Sequence, residues 1–245
     1  SDAGATRTTA KLDGGEWVID GAKQFITNSG TAITRFVTVT AVTGDPGDAK
    51  REISTIIVPS GTPGFAVGPA YDKVGWHASD THPLSFSGVR VPEENLLGER
   101  GRGFANFLHI LDEGRVAIAA LATGAAEGCL EAAVDYAKSR VVFGESLGSR
   151  QSIQFMLARM QQRVHVSRLA WLHAARLRDA GKPFKTEAAI AKLTSSDAAM
   201  DNARDATQIF GGNGFMNEYP VARHFRDSKI LEVGEGTTEV QLLLI

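Results

Sequence analysis

The stretch NLLGERGRGF, residues 95–104, divides the sequence into two halves with different residue patterns. Before it, from about residue 5, turn-forming segments such as LDGGE and PSGTPG separate short runs that alternate or are rich in β-branched residues. RFVTVTAV and STIIVP are the clearest of these runs, and their pattern is typical of strands. After it, alanine, leucine, arginine and glutamate recur at helical spacing. The stretch therefore predicts a β-sheet or small barrel followed by a helical domain.

The second half contains three long helical patterns. Apolar residues of the first recur every three or four positions and predict one stripe that faces a core. This stripe comprises Phe104, Phe107, Leu108, Leu111, Ile118, Leu121, Ala125, Cys129 and Tyr136. The second stripe comprises Ile153, Met156, Met160, Val164 and Trp171. A third helix is predicted from about Thr186 to GGNG at 211–214. Long helices joined by short breaks predict an antiparallel bundle.

The composition disfavours several classes of protein. With 245 residues and 43% hydrophobic content, the chain can bury a large core. Its 26 Lys and Arg residues balance 28 Asp and Glu residues, so the bulk charge does not favour nucleic acid or an anionic membrane as a partner. The single cysteine, Cys129, excludes an internal disulfide and favours a reducing compartment. No apolar run approaches the roughly 20 residues of a membrane span, and the six histidines show no metal-ligand spacing.

Three short clusters carry residues suited to cofactor binding. KQFITNS, residues 23–29, places Phe25 and Thr27 two apart on an extended segment, where they would share a face, although an ordinary strand end explains the same pattern. SRVVFG at 139–144 offers Arg140 as a clamp for a phosphate, with Gln151 further on. QIFGGNGF at 208–215 offers glycine amides to an anion, although a glycine helix cap explains most of it.

A fourth cluster, LEVGEGTTEVQ at 231–241, places Glu235 between two glycines. Thr238 and Gln241 form a T-x-x-Q capping box, which predicts a helix from about residue 239. Glu235 would then lie in the loop before a helix N-terminus. Either a reactive carboxylate or a solvated loop acid fits this position.

Six segments follow one another along the chain in an order that is collectively specific. They are TTAKLDGGEWVIDGAKQFITNS, VGWHASDTHPLSFSGVRVPEENLLGERGRGF, LDEGR, SRVVFG, QIFGGNGF and RHFRDSKILEVGEGTTEVQ. Together they resemble the acyl-CoA dehydrogenase family over essentially the whole chain. The resemblance implies an α+β fold, with an incomplete middle β-domain at 1–98 and a C-terminal bundle at 99–245. The first would be a partial antiparallel β-barrel or sheet, and the second an up-down four-helix bundle of long helices.

The resemblance also implies a chemistry. The family is a set of FAD-dependent oxidoreductases of fatty acid β-oxidation that convert an acyl-CoA thioester to the trans-2-enoyl-CoA. Glu235 matches the base that removes the α-proton, and its own amide is expected to bind the thioester oxygen while hydride passes from Cβ to N5 of FAD. Gly114 matches the position where some branches of the family carry their base. Gly234 stands where an aromatic residue is common.

Further residues match cofactor and substrate contacts of the family. The predicted FAD contacts are Phe25, Ile26, Thr27, Arg140, Phe143, Gln151, Gln208, Ile209, Phe210, Gly211, Gly212, Thr237, Thr238 and Glu239. The predicted substrate contacts are Ser1, Asp112, Glu113, Gly114, Arg115 and Gly236. The FAD contacts in the helical half would serve a cofactor held mainly by a neighbouring subunit, which implies a homotetramer built as a dimer of dimers.

The resemblance names electron-transfer flavoprotein as the acceptor of electrons from the reduced flavin. No metal, nucleic acid or membrane span is expected. The expected compartment is the cytoplasm, or the mitochondrial matrix in a eukaryote. Two alternatives stay open at this point: an acyl-CoA oxidase, in which oxygen is the acceptor, and a catalytically silent scaffold that keeps only the fold.

Overall fold

The structure is a computed structural model that describes residues 3–45 and 51–245. Its contacts divide the chain into two compact units, Asp2–His109 and Ile110–Ile245. The described residues of the first unit form six strands, and those of the second form the helical bundle. The predicted boundary between residues 98 and 99 stays a prediction.

The strands described in the first unit form a six-stranded sheet. Its strands are β1 Thr9–Asp13, β2 Glu16–Thr27, β3 Phe36–Val42, β4 Ile53–Pro59, β5 Phe65–Val67 and β6 Thr81–Pro92. The spatial order is β4-β3-β1-β2-β6-β5. Neighbours pair antiparallel except β1 and β3, which pair parallel through Thr9 and Val42. The predicted antiparallel sheet is therefore mixed in detail, with one parallel pair among antiparallel neighbours.

The core of the sheet follows from the alternation of side chains along its strands. Trp17 and Ile19 of β2, and Val37 and Val39 of β3, are buried at every second position while the residues between them are more exposed. The two runs chosen from the sequence as the clearest strands correspond to β3 and β4. Period-two patterning was a sufficient signal for them because one face of each strand is buried.

The second unit is a bundle of helices, of which the first begins before the unit does. The helices are α1 Gly103–Ser139, α2 Gln151–Asp179, α3 Lys185–Phe210, α4 Pro220–Val233 and α5 Thr238–Leu244. A short hairpin, β7 Val141–Val142 and β8 Glu145–Ser146, joins α1 to α2. A 3-10 turn, Gly211–Phe215, joins α3 to α4. The α+β fold class predicted from the sequence is confirmed.

Side-chain contacts show the relative direction of α1 and α2 and link α3 to both. Glu113 near the start of α1 pairs with Arg178 near the end of α2 at 3.0 Å, while Glu127 further along α1 pairs with Arg168 at 2.5 Å. These two helices are therefore antiparallel. Fully buried Asn202 of α3 ties three helices together, because its amide nitrogen donates to carbonyl oxygens of α1 at 3.0 Å and of α2 at 3.2 Å.

The buried stripe of α1 differs from the predicted one. Phe107, Leu108 and Leu121 are exposed by 37%, 43% and 48%, so assigning them to the core was wrong for this chain. The buried apolar positions keep the helical period but are mostly small: Val116, Ala119, Ala122, Ala126, Cys129, Leu130, Ala133 and Ala137. Small side chains let helix axes approach closely, which explains the shift. Cys129 is a core residue as predicted, and burial raises the pKa of its thiol to about 12.

By length and composition alone, α1 could cross a membrane. This corrects the expectation that no apolar run approaches that length. The indication is weak, because the core helix of a soluble protein meets the same criterion. Among residues 3–45 and 51–245, no group of three or more His, Cys, Asp or Glu side chains could hold a metal ion.

Candidate active site

Glu235 lies exposed in the tight connection between α4 and α5. Its backbone has φ +55°, in the left-handed region that residues other than glycine rarely adopt. Gly234 ends α4 with an extended backbone, and Gly236 follows at φ +92°. The chain thus turns sharply at the acid, and the two glycines permit the turn.

The Glu235 carboxylate reaches towards α1 at Gly114. A Cβ placed on Gly114 would lie only 2.8 Å from Oε2 of Glu235 and 3.6 Å from its Cδ. Glycine in the interior of a helix loses stability relative to alanine, so its presence here calls for a local reason. That reason is space for the Glu235 side chain.

Two buried side chains that sequence reasoning did not assign to the site hold this turn from beneath. Lys192 of α3 is 0% exposed, and its Nζ donates to the carbonyl oxygen of Gly236 at 2.7 Å. Gln241 of α5 is also 0% exposed, and its Nε2 donates to the same oxygen at 2.9 Å and to that of Glu235 at 3.3 Å. Lys192 could have been found as the one charged residue on the buried stripe of α3, where it follows Ala188 by one helical turn.

Charges around Lys192 act in both directions on its pKa. Burial lowers the pKa of the ammonium, while the carboxylates of Asp197, Glu232 and Glu235 oppose that shift. Arg115 of α1 adds to the lowering. The carboxylate of Glu235 is therefore one of three that favour the charged form of buried Lys192.

The predicted substrate-binding turn on α1 divides into inward and outward residues. Arg115 is 4% exposed and forms an ion pair with Asp112, and its buried Nε has no partner among the residues described. Glu113 is exposed and pairs with Arg178 of α2 instead. Ser1 lies outside the described residues.

The start of α5 differs from the predicted capping box by one residue. Thr237, not Thr238, is the N-cap, and its hydroxyl accepts from the amide of Val240 at 3.3 Å. The predicted partner, Gln241, is occupied with the Glu235 turn. The assignment of Thr238 as the cap was therefore wrong. The backbone amide of Glu239 and the Thr237 hydroxyl lower the pKa of the exposed Glu239 carboxyl.

At the opposite end of the bundle, the structure brings two predicted FAD clusters together. The ring of Tyr136 on α1 stacks on Phe210 of α3 with centroids 4.0 Å apart. Asn213 donates to the Tyr136 hydroxyl at 3.0 Å, which fixes the glycine turn against the end of α1. Arg140 comes directly after the last residue of α1, and Phe143 at the tip of the β7–β8 hairpin is 97% exposed.

The remaining residues of this end are open as well. Gln151, Gln208, Gly211 and Gly212 are exposed, whereas Ile209 is buried. A Cβ on either glycine would meet nothing within 4 Å. Measured along α1, this end lies about 39 Å from Gly114 at roughly 1.5 Å per residue. One chain thus carries two separate clusters, one at each end of its bundle.

The predicted flavin contacts of the sheet unit lie on a β-bulge. The pairing of β2 with β6 shifts register between Lys23 and Ile26, and Phe25 within the shift has φ +59°. Phe25 is therefore not extended, so the simple alternation expected to place it on one face with Thr27 was wrong. Phe25 is 69% exposed, with its ring centroid 5.2 Å from that of Tyr71, and Thr27 is exposed at the end of β2.

Two family models match the chain in sequence. The acyl-CoA dehydrogenase middle domain matches residues 1–89, and the acyl-CoA dehydrogenase C-terminal domain matches residues 101–245. The chain belongs to the acyl-CoA dehydrogenase family. The resemblance inferred from six sequence segments is thereby confirmed.

Individual members of the family are similar over the whole chain. A probable acyl-CoA dehydrogenase of Bacillus subtilis, YngJ, is 49% identical over 245 residues, which cover 100% of this chain and 64% of that protein. The structure of butyryl-CoA dehydrogenase from Megasphaera elsdenii superposes with a TM-score of 0.94 at 45% identity, covering 99% of this chain and 63% of that one.

A chain in the structure described as the electron transferring flavoprotein of Acidaminococcus fermentans also has a TM-score of 0.94, at 43% identity, and covers 99% of this chain and 63% of that one. This acyl-CoA dehydrogenase chain thus spans less than two thirds of the length of the relatives it matches.

Proposed function

We propose that the protein catalyses the flavin-dependent α,β-dehydrogenation of an acyl-CoA thioester to the trans-2-enoyl-CoA. The observation that carries this proposal is the Glu235 carboxylate, presented on a glycine-flanked turn and facing a helix position, Gly114, that has no side chain. A short acyl chain is the first substrate to test, because the similar Megasphaera enzyme acts on butyryl-CoA.

In this proposal Glu235 removes the proton on Cα of the substrate. A C–H group next to a thioester is a weak acid, so the base must be held close while the carbonyl oxygen receives a hydrogen bond. Among the described residues, the structure records no backbone acceptor for the amide of Glu235, which suits that amide to the thioester oxygen. Gly114 leaves room for the carboxylate, and Gly236 leaves room for Gln241, whose Nε2 would be 2.6 Å from an added Cβ.

The side chains at the far end of the bundle fit FAD by their chemistry. An exposed guanidinium at Arg140 suits a phosphate, exposed Phe143 offers an aromatic face, and open glycine backbone at Gly211 and Gly212 allows close approach. In the sheet unit, exposed Phe25 and the Thr27 hydroxyl suit a planar ring with a polar edge. Bound FAD would supply the acceptor for the hydride that leaves Cβ of the substrate.

Separation along α1 supports a cofactor shared between subunits. By the rise of α1, the end of the bundle that carries Arg140 lies about 39 Å from the end that carries Glu235. Two clusters so far apart are suited to contact two different FAD molecules. We infer a homo-oligomer in which each bundle contributes its far end to a neighbour's cofactor, and a dimer of dimers supplies four such sites. Electron-transfer flavoprotein is the proposed acceptor, supported by the similar chain in the Acidaminococcus structure.

The decisive experiment compares Glu235→Gln with wild type in the full-length protein. We expect the variant to keep FAD but to lose flavin bleaching by butyryl-CoA by at least about 1,000-fold, because the base is gone while the shape is kept. Glu131→Gln makes the same change at an exposed position of α1 and should behave as wild type. Bleaching of Glu235→Gln at the wild-type rate would show that another group is the base.

The electron acceptor needs a separate measurement. Wild-type enzyme reduced by acyl-CoA should be reoxidised rapidly by electron-transfer flavoprotein and slowly by air. Rapid formation of hydrogen peroxide in air would identify an oxidase instead. A purified protein without bound flavin would favour the silent scaffold.

A further inference from the structure

We propose that Lys192 and Gln241 are positioning residues that fix the Glu235–Gly236 peptide, so that the base is held for proton transfer before substrate arrives. This inference rests on the proposed function and deepens it. Neither residue touches the reacting atoms in this account. Both act through the backbone that presents Glu235.

Lys192 occupies a place where an ammonium group is costly. It is 0% exposed on the buried stripe of α3, and a buried charge is tolerated only when it is paired and hydrogen-bonded. The Gly236 carbonyl oxygen at 2.7 Å is the only acceptor for its Nζ among the described residues. The carboxylates of Asp197, Glu232 and Glu235 favour the charged form. The ammonium is thus directed at the turn of the base and at no other backbone group described.

Gln241 is the second donor to this turn. Its side-chain nitrogen donates to both carbonyl oxygens of the turn, at 3.3 Å to Glu235 and at 2.9 Å to Gly236. Because both partners are acceptors, the amide must present its nitrogen to them. Glycine at 236 is required for this approach, since a Cβ there would lie 2.6 Å from Nε2.

The conformation that these donors hold is one that Glu235 would not adopt freely. A glutamate at φ +55° is strained, and such strain persists only where the surroundings over-determine it. Two buried donors on consecutive carbonyls provide that restraint. Without them the turn relaxes, and the carboxylate spends less time opposite Gly114. The rate of proton removal then falls, whereas the affinity for the CoA portion of the substrate is kept.

The test uses Lys192→Met in the full-length holoenzyme, with Lys229→Met as the matched control. Lys229 is an exposed lysine of α4 that pairs with Glu232 and does not contact the turn. We expect Lys192→Met to lower the rate constant of flavin reduction at saturating butyryl-CoA by about 100-fold with little change in KM, as misplacement of a reacting group does. Lys192→Arg, which keeps a cationic donor, should recover part of that loss.

A second measurement does not depend on catalysis. Amide hydrogen exchange of residues 234–238 should be about tenfold faster in Lys192→Met than in wild type or Lys229→Met, because the turn opens more often. Wild-type exchange in a folded Lys192→Met protein would overturn the proposal. If Lys192→Met does not fold, Gln241→Met removes the other donor without changing charge, and the same exchange result decides. A wild-type protein that no acyl-CoA bleaches would refute the proposed function, while exchange would still test the role of Lys192.

Discussion

The carboxylate of Glu235 lies where a side chain at Gly114 would extend, because its Oε2 would be only 2.8 Å from a Cβ on Gly114. The two residues are far apart in sequence, and they come from the first helix and the last turn of the bundle. The chain has its acid on the turn and glycine on the helix, so the helix position is kept clear for the turn.

Gly114→Ala should separate activity from stability. The added methyl group forces the far end of Glu235 to move, so flavin reduction should fall by about tenfold. Alanine in a helix interior stabilises by about 0.5–1 kcal/mol relative to glycine, so the melting temperature should rise. Gly124→Ala is the control, because a Cβ there meets nothing within 4 Å and should stabilise α1 at full activity. Equal activity of the two variants would contradict the proposed role of Gly114.

The sequence predicts an element of the fold well where the pattern of large apolar residues follows burial, and poorly where it does not. Strands β3 and β4 were found because one face of each is buried and their side chains alternate. The core of α1 could not be predicted from the size of its apolar residues, because Leu121 is exposed whereas the buried positions are mostly alanines. Helix α4 was not found individually, although Pro220 at its first turn is a start signal.

Predictability of the site depended on sequence separation. Glu235 could be selected because its glycines are adjacent in sequence and match a family pattern. Lys192 could be noticed only as a charge on the buried stripe of α3, and its role could not be predicted, because its partner is the carbonyl of Gly236, 44 positions away, and a backbone oxygen leaves no sequence signal. In the sequence, Gln241 carries a signal only for a helix cap, since local rules describe contacts within one turn of helix. Tertiary contacts decided both roles.

Thr237→Ala should destabilise the start of α5 and Thr238→Ala should not. The Thr237 hydroxyl accepts from the amide of Val240 at 3.3 Å, and loss of such a cap costs about 0.5–2 kcal/mol. Chemical denaturation of both variants measures the difference. Because the Glu235 turn precedes this helix directly, Thr237→Ala should also slow flavin reduction. Equal free energies of unfolding for the two variants would mean that the cap is not formed in solution.

Tyr136→Phe should loosen the FAD end of the bundle without altering the base. The change removes the hydrogen bond from Asn213 at 3.0 Å, worth about 1 kcal/mol, and keeps the ring stacked on Phe210. Tyr136→Leu removes the stacking as well, at a further cost of about 0.5–1.5 kcal/mol. FAD release, followed by flavin fluorescence on dilution, should be faster in that order. If Tyr136→Leu retained FAD as well as wild type does, the contact between Tyr136 and Phe210 would make no contribution to cofactor binding.

His82 should make the stability of the sheet unit depend on pH. Its Nδ1 lies 2.7 Å from the Gly68 carbonyl oxygen and its Nε2 lies 2.6 Å from Oδ1 of Asp80, so both ring nitrogens face acceptors. The Gly68 carbonyl first, and Asp80 next, raise the pKa of His82, against smaller opposing effects of burial and of Lys73. The stability that protonated His82 gives the sheet unit is therefore complete below the pKa of about 6.5 in the unfolded chain. It is lost as pH rises through the higher pKa of the folded state. The denaturation midpoint of wild type should fall as pH is raised from about 6 to about 8.5, and His82→Gln should show a flatter profile because it cannot titrate. Parallel profiles for the two proteins would mean that His82 is not the titrating group.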